Sequence, residues 1–427
     1  MHVNAFFTFF SPVRQMRTPT VAPMFRIFDE FLAKSRPFYV FSKGRFIMPS
    51  VRTYPTKGLI ALAASALVLT TVLALWRTNR QPSLSPLAHP IAPQPLPAAT
   101  PVRVDTVDRL RAACSALRQQ ADPTAARRSL AGLRKDLSAM PPSAAVAEIR
   151  KFLNAKTDAS TRLGFKLASN GILDEAPTLR TFLLDELARI DPASAAAYSK
   201  TILAGMDSPD EWAVALRNLA LGDGSADGRA LLEEKATAML QYAPWQQNPS
   251  IGYLEAFDVA VYLGGTDLLP TLTALVQSDD NPAIAHAAFL ALDRLVINDP
   301  AEVLAALVAD ADLMDGREST RADYFARADV RDPRQRQLLE SYLLDPAIGT
   351  AELNTFAGIY PNANFMLSPN LLTQNITTDH DALASRDAQS LVTAQQWLAD
   401  PRFAPVAPQL QIVIQRLEGF AAQARGQ

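Results

Sequence analysis

Residues 278–295 read Ser-Asp-Asp-Asn-Pro-Ala-Ile-Ala-His-Ala-Ala-Phe-Leu-Ala-Leu-Asp-Arg-Leu. Asn281 before Pro282 is a helix start: the amide side chain accepts from a free first-turn N–H, and proline has no N–H to leave unpaired. Behind it Ile284, Ala288, Ala291, Leu292 and Leu295 recur at three- and four-residue steps, the period of a buried helix face. The same punctuation returns at Asp122-Pro123, Asp191-Pro192, Ser208-Pro209, Asp299-Pro300 and Asp332-Pro333. Leu179, Phe182, Leu183, Leu187 and Ile190 mark a second apolar stripe. From Asp105 onward about 320 residues remain, ample for a sizeable core. Roughly fifteen to seventeen helices of about 10–17 residues fit that length, and no segment reads as a strand. The expected fold class is all-α.

Upstream of the quoted stretch, Leu268, Leu269, Leu272 and Leu275 form the apolar face of a preceding helix. The unit Thr266–Asn298 resembles a HEAT repeat: an apolar first helix, an Asp/Asn-Pro turn, then Ala-x-x-Ala-Leu-x-x-Leu, matched by Ala288, Ala291, Leu292 and Leu295. The resemblance implies an α-solenoid, in which stacked helix pairs share a continuous core and offer an extended binding surface. One departure stands at Ala285, where the family usually carries an arginine that bonds between neighbouring repeats. Weaker echoes lie at Asp191–Leu221 and Asp299–Leu344, with no strict period over the whole chain. The expected organisation is a helical-repeat domain over 105–357, an irregular segment over 358–386 and C-terminal helices over 387–427. Phe365, Met366, Leu371 and Leu372 would pin the irregular segment, and Gln409–Gln423 reads as an amphipathic helix.

Residues 58–76 are nineteen consecutive uncharged residues between Lys57 and Arg77. As a helix they span roughly 28 Å, close to the ~30 Å hydrocarbon core of a bilayer, and Trp76 suits the interface. Residues 1–57 carry nine Lys or Arg against Asp29 and Glu30, whereas Arg77–Gln427 carries 32 basic against 41 acidic residues. Basic flanks stay cytoplasmic, so the expectation is a single-pass inner-membrane protein, N-terminus inside, with the C-terminal domain periplasmic or extracellular. No small-x-small cleavage site follows the apolar run. Residues 1–47 hold ten of the twenty Phe. They read either as a basic, aromatic cytoplasmic arm or as sequence upstream of a start at Met48. Residues 77–104 form a proline-rich linker, extended in polyproline II and reaching up to ~60 Å.

Little in the chain signals chemistry. The single Cys114 lies among apolar neighbours, as a small core filler does. His2, His89, His286 and His380 are scattered and lack metal-ligand spacing. Gly222, Gly224 and Gly228 are followed by no Lys-Ser/Thr and preceded by no strand, so they read as an inter-helix loop. No cofactor or small molecule is expected. An acidic balance without a basic stripe speaks against nucleic acid. Trp212, Tyr242, Trp245, Tyr253, Phe257 and Tyr262 cluster in one zone. They read either as plugs between helices or, on a concave face, as the contact surface for a protein partner. The function expected is a membrane-anchored, non-catalytic scaffold or adaptor for another envelope protein. The alternatives are a carboxylate-dependent cell-wall hydrolase and a membrane sensor.

Overall fold

A computed structural model describes residues 106–119, 122–278, 280–365, 370–375 and 379–425. The basic N-terminal segment, the apolar run 58–76 and the linker 77–104 lie outside these residues. Among the described residues no helix is long and apolar enough to cross a membrane.

Among the described residues the fold is all-α apart from one small hairpin. Its helices are α1 (Thr106–Gln119), α2 (Pro123–Ser138), α3 (Pro142–Asn154), α4 (Leu179–Ile190), α5 (Pro192–Ile202), α6 (Pro209–Gly222) and α7 (Ala226–Leu240). Three short ones follow, α8 (Ala243–Gln247), α9 (Ile251–Glu255) and α10 (Asp258–Leu263). The series continues with α11 (Leu269–Gln277), α12 (Pro282–Asn298), α13 (Pro300–Ala309), α14 (Glu318–Phe325), α15 (Pro333–Leu344) and α16 (Thr350–Ile359). It ends with α17 (His380–Ala399) and α18 (Ala407–Arg425). All six cap-proline pairs open helices: Asp122, Asp191, Ser208, Asn281, Asp299 and Asp332 each accept a first-turn N–H. The two stripes face inward; only Ile190, at the end of α4, is partly exposed. Cys114 is buried, and burial pushes its thiol pKa up.

Helices pack mainly on those one and two places along. α4 meets α5 and α6, α11 meets α12, α13 meets α15, α14 meets α16, and α16 meets α18. Close approach relies on small residues. A Cβ on Gly222 would lie 2.1 Å from the Pro192 carbonyl oxygen, so glycine is what lets the end of α6 reach α5. The glycine-rich motif is thus a packing device, with Ser225 capping α7.

The fold departs from the sequence expectation in two places. Strands β1 (Lys166–Leu167) and β2 (Leu173–Glu175) pair antiparallel where no strand was expected. Two- and three-residue strands are too short to show a period-2 pattern. The irregular segment is also shorter than expected: Asp379 caps α17, which starts at His380 rather than near Asp387.

α4 and α6 are enclosed on nearly all sides, and Asp185, Glu186, Glu211, Arg217 and Asn218 are buried with them. A buried charge is tolerable only when paired and hydrogen-bonded. Arg217 lies 2.7 Å from Asp185 Oδ1 and donates to the Gly171 carbonyl at 2.7 Å and to Asn218 Oδ1. Asp185 accepts the Leu173 N–H as well. The pair therefore ties the hairpin to α4 and α6. Arg217→Met should leave Asp185 charged and unpaired, lowering unfolding stability by about 3–5 kcal/mol, while the double change with Asp185→Leu recovers most of the loss. Urea unfolding followed by far-UV circular dichroism reads this, and a single-variant loss under about 1 kcal/mol would refute it.

Candidate functional site

The aromatic zone expected from the sequence comes together around α8–α10. Trp245 meets Trp212 edge-on at 5.4 Å, Tyr242 at 5.0 Å and Tyr253 at 6.2 Å, and Tyr253 meets Phe257 at 5.5 Å. Trp212 also donates Nε1–H to the Gly205 carbonyl at 2.6 Å. Trp212, Trp245, Tyr253 and Phe257 are buried, so they fill the wedge between α6, α8 and α9. Tyr242 is half-buried. Tyr262 is exposed beside Leu221 and donates to the Ala220 carbonyl. The part of this zone open to solvent is its edge.

Beside that edge runs a groove of about 490 Å³ between α8 and the α11–α12 turn. Ala243, Leu275 and Ile284 give it apolar walls, and Gln247, Asp280 and Asn281 a polar rim. Its width is set by hydrogen bonds: Asn281 Nδ2 donates to the Gln246 carbonyl at 3.1 Å, and Gln246 Nε2 donates to the Leu240 carbonyl at 2.6 Å. The N-cap of α12 thus bonds α8 directly. Apolar walls with a rim of amides and the Asp280 carboxylate suit an extended peptide segment.

Asp258, in the first turn of α10, holds a different structure. It accepts the Leu372 and Thr373 backbone N–H groups at 2.7 and 2.9 Å, the Thr373 hydroxyl at 2.5 Å, and Arg294 of α12 at 2.6 Å. The chain after α16 has therefore returned across the middle of the stack. A Cβ on Gly171 would lie 2.3 Å from the Leu371 carbonyl oxygen, and the glycine has φ +77°, so the hairpin turn seats the crossover from the other side. Leu371 is buried as expected, with Leu372 half-buried and Phe365 at intermediate depth; Met366 lies outside the described residues. Closer to α14, Asn362 donates to Asp323 at 2.6 Å and Arg327 donates to the Asn364 carbonyl at 2.7 Å.

Two carboxylates have raised pKa values. Burial, reinforced by the neighbouring Asp258 charge, lifts Glu255 to about 7. Burial lifts Asp293 to about 6 although Arg327 stands 2.6 Å away. Neither was singled out in the sequence. The available signal is an acid set among apolar residues at stripe spacing, as in Leu-Asp-Arg-Leu around Asp293 and Ala-Phe-Asp-Val around Asp258. His286 is exposed on α12, and His380 lies in the first turn of α17. Among the described residues no group of three or more His, Cys, Asp or Glu is placed to hold a metal. The chain matches no protein-family model, and no curated protein or solved structure is significantly similar to it.

The sign of the Glu255 effect is determined. Its folded pKa lies above the ordinary 4.5, so the folded state keeps a proton that the unfolded state releases between about pH 4.5 and 7. This contribution to stability is fully present below pH 4.5 and is lost as pH rises to 7. Glu255→Gln should therefore leave the urea midpoint nearly unchanged at pH 4.5 and stabilise the protein at pH 8 by up to about 3 kcal/mol. An equal effect at both pH values would overturn the assignment.

Proposed function

We propose that this chain is a membrane-anchored, non-catalytic scaffold whose ectodomain is a HEAT-like α-solenoid. Residues 58–76 cross the inner membrane with the N-terminus inside, and the helical domain stands in the periplasm or outside the cell. The groove between α8 and the α11–α12 turn takes an extended segment of another envelope protein, with Tyr242, next to Ala243, on the flanking surface. The observation that carries this reading is the groove itself, with apolar walls and a polar rim of Gln247, Asp280 and Asn281. It is supported by the packing of helices on near neighbours in sequence, the arrangement of repeat proteins.

The rival, a carboxylate-dependent hydrolase acting on cell-wall material, is favoured by one observation, the raised pKa of Glu255. The two separate cleanly. Ala243 is exposed on the groove wall, so Ala243→Arg fills the groove without disturbing the core. In crosslinking-coupled pull-down from native membranes, the scaffold reading expects a stoichiometric partner whose recovery falls at least about tenfold with Ala243→Arg. Glu255→Gln should leave recovery unchanged. Undiminished recovery with Ala243→Arg, at unaltered helicity, would sink the groove as the site.

A further inference from the structure

The chain is nearly neutral as a whole, but its charge is divided along the sequence. Residues 106–166, covering α1 to α3 and the approach to the hairpin, hold twelve Lys or Arg against five Asp or Glu. Residues 167–427 hold 17 against 35. One end of the helical body is thus strongly basic and the remainder strongly acidic. α1, α2 and α3 pack on one another and join the body chiefly through α4.

Side-chain placement shows which of these charges are free. Arg127 and Arg134 of α2 reach the acids Glu175 and Glu186. Arg128 and Lys135, one position further along each time, turn away and are exposed without an ion pair among the described residues. Arg150 and Lys151 of α3 line a shallow depression of about 570 Å³, Arg150 with its guanidinium 5.9 Å from the Tyr198 ring. Lys156 and Arg162 follow, both exposed. They are also the non-glycine residues that the described chain holds at positive φ, 51° and 62°. That conformation disfavours ordinary side chains, and here it is held at two basic positions of the same end.

We infer that this basic end docks against anionic lipid headgroups of the membrane that anchors the chain, holding the acidic body away from the surface. The inference rests on the membrane-anchored reading. The linker 77–104 leads in sequence into α1, so on that reading these three helices follow the membrane segment most closely along the chain. An anionic surface attracts the unpaired Arg128, Lys135, Arg150, Lys151, Lys156 and Arg162 and repels the acidic remainder. The interaction is screened within about 10 Å at 0.1 M salt, which makes it salt-sensitive.

The full chain reconstituted in nanodiscs of phosphatidylcholine, with or without about 30% phosphatidylglycerol, tests this. Acylation of lysine amines is read by mass spectrometry. Lys135 and Lys156 should react at least about threefold more slowly in the anionic discs, with Lys200 on the acidic body unchanged. The protection should vanish at about 0.5 M salt and in the Arg128→Glu/Lys151→Glu variant. Equal reactivity in both discs by a chain that has inserted overturns the docking inference alone. Protection that rises with protein concentration and ignores lipid charge assigns the basic end to the acidic body of a second copy, and also overturns it. A chain that fails to enter either disc overturns the anchored reading and the inference with it.

Discussion

A guanidinium cannot be neutralised inside a protein, so a buried arginine is costly unless a carboxylate or a set of carbonyl acceptors meets it. Arg217, 2% exposed, meets that demand at Asp185, which has no exposure at all. The same solution recurs along the stack. Arg180 of α4 grips Glu211 of α6 with two bonds at 2.7 and 2.9 Å, and Arg321 of α14 grips Glu352 of α16 at 2.8 and 2.7 Å. Arg294 of α12 reaches Asp258 of α10, and Arg327 reaches Asp293. Each pair links elements about two places apart, which is the spacing at which the helices stack. Apolar faces alone allow neighbouring helices to slide; a bidentate pair allows one register. Such pairs need not add net stability over apolar replacements, so their contribution here is to which packing is chosen.

This explains what the sequence disclosed. Helix starts were legible because an N-cap bonds its own first turn, and apolar stripes were legible because burial of one face imposes a local period. The missing arginine at Ala285 was legible too, as a departure from the HEAT pattern. The role of Arg294 was not: on later turns of the same helix, it bonds to α10, two helices back, through an acid 36 residues upstream. Partners so far apart leave no local trace. The hairpin escaped for the related reason that its strands are shorter than one pattern repeat, and its stability comes from Arg217 and Asp185 rather than from alternation. The aromatic zone was visible as a cluster of residues, but whether each ring faces core or solvent depends on how α6, α8 and α9 meet.

The crossover after α16 changes the character of the stack. Contacts between near neighbours build an array that can lengthen or bend with little long-range resistance. Here residues 370–373 are held by Asp258 and seated against Gly171, so segments separated by more than a hundred residues share one cluster. Asp258 stands in α10, directly after the α9 that carries Tyr253 of the aromatic wedge, while the groove lies against α8 and the α11–α12 turn. α12, whose N-cap lines the groove, is therefore tied both to α11 by local packing and, through Arg294, to the Asp258 clasp.

The raised pKa values follow from the same architecture. Asp293 sits near 6 despite an arginine at ion-pair distance, because withdrawal from water outweighs the attraction. Glu255, near 7, lies in the neighbourhood of an Asp258 whose charge is already engaged by Arg294 and three donors of the crossover. Burying acids to register helices raises their proton affinity wherever the pairing is incomplete. A titration near neutrality in this fold is thus a product of packing first. It becomes a sign of catalysis only where a cleft brings a second reacting group to it, and Asp258, saturated with donors, is not free to be that group.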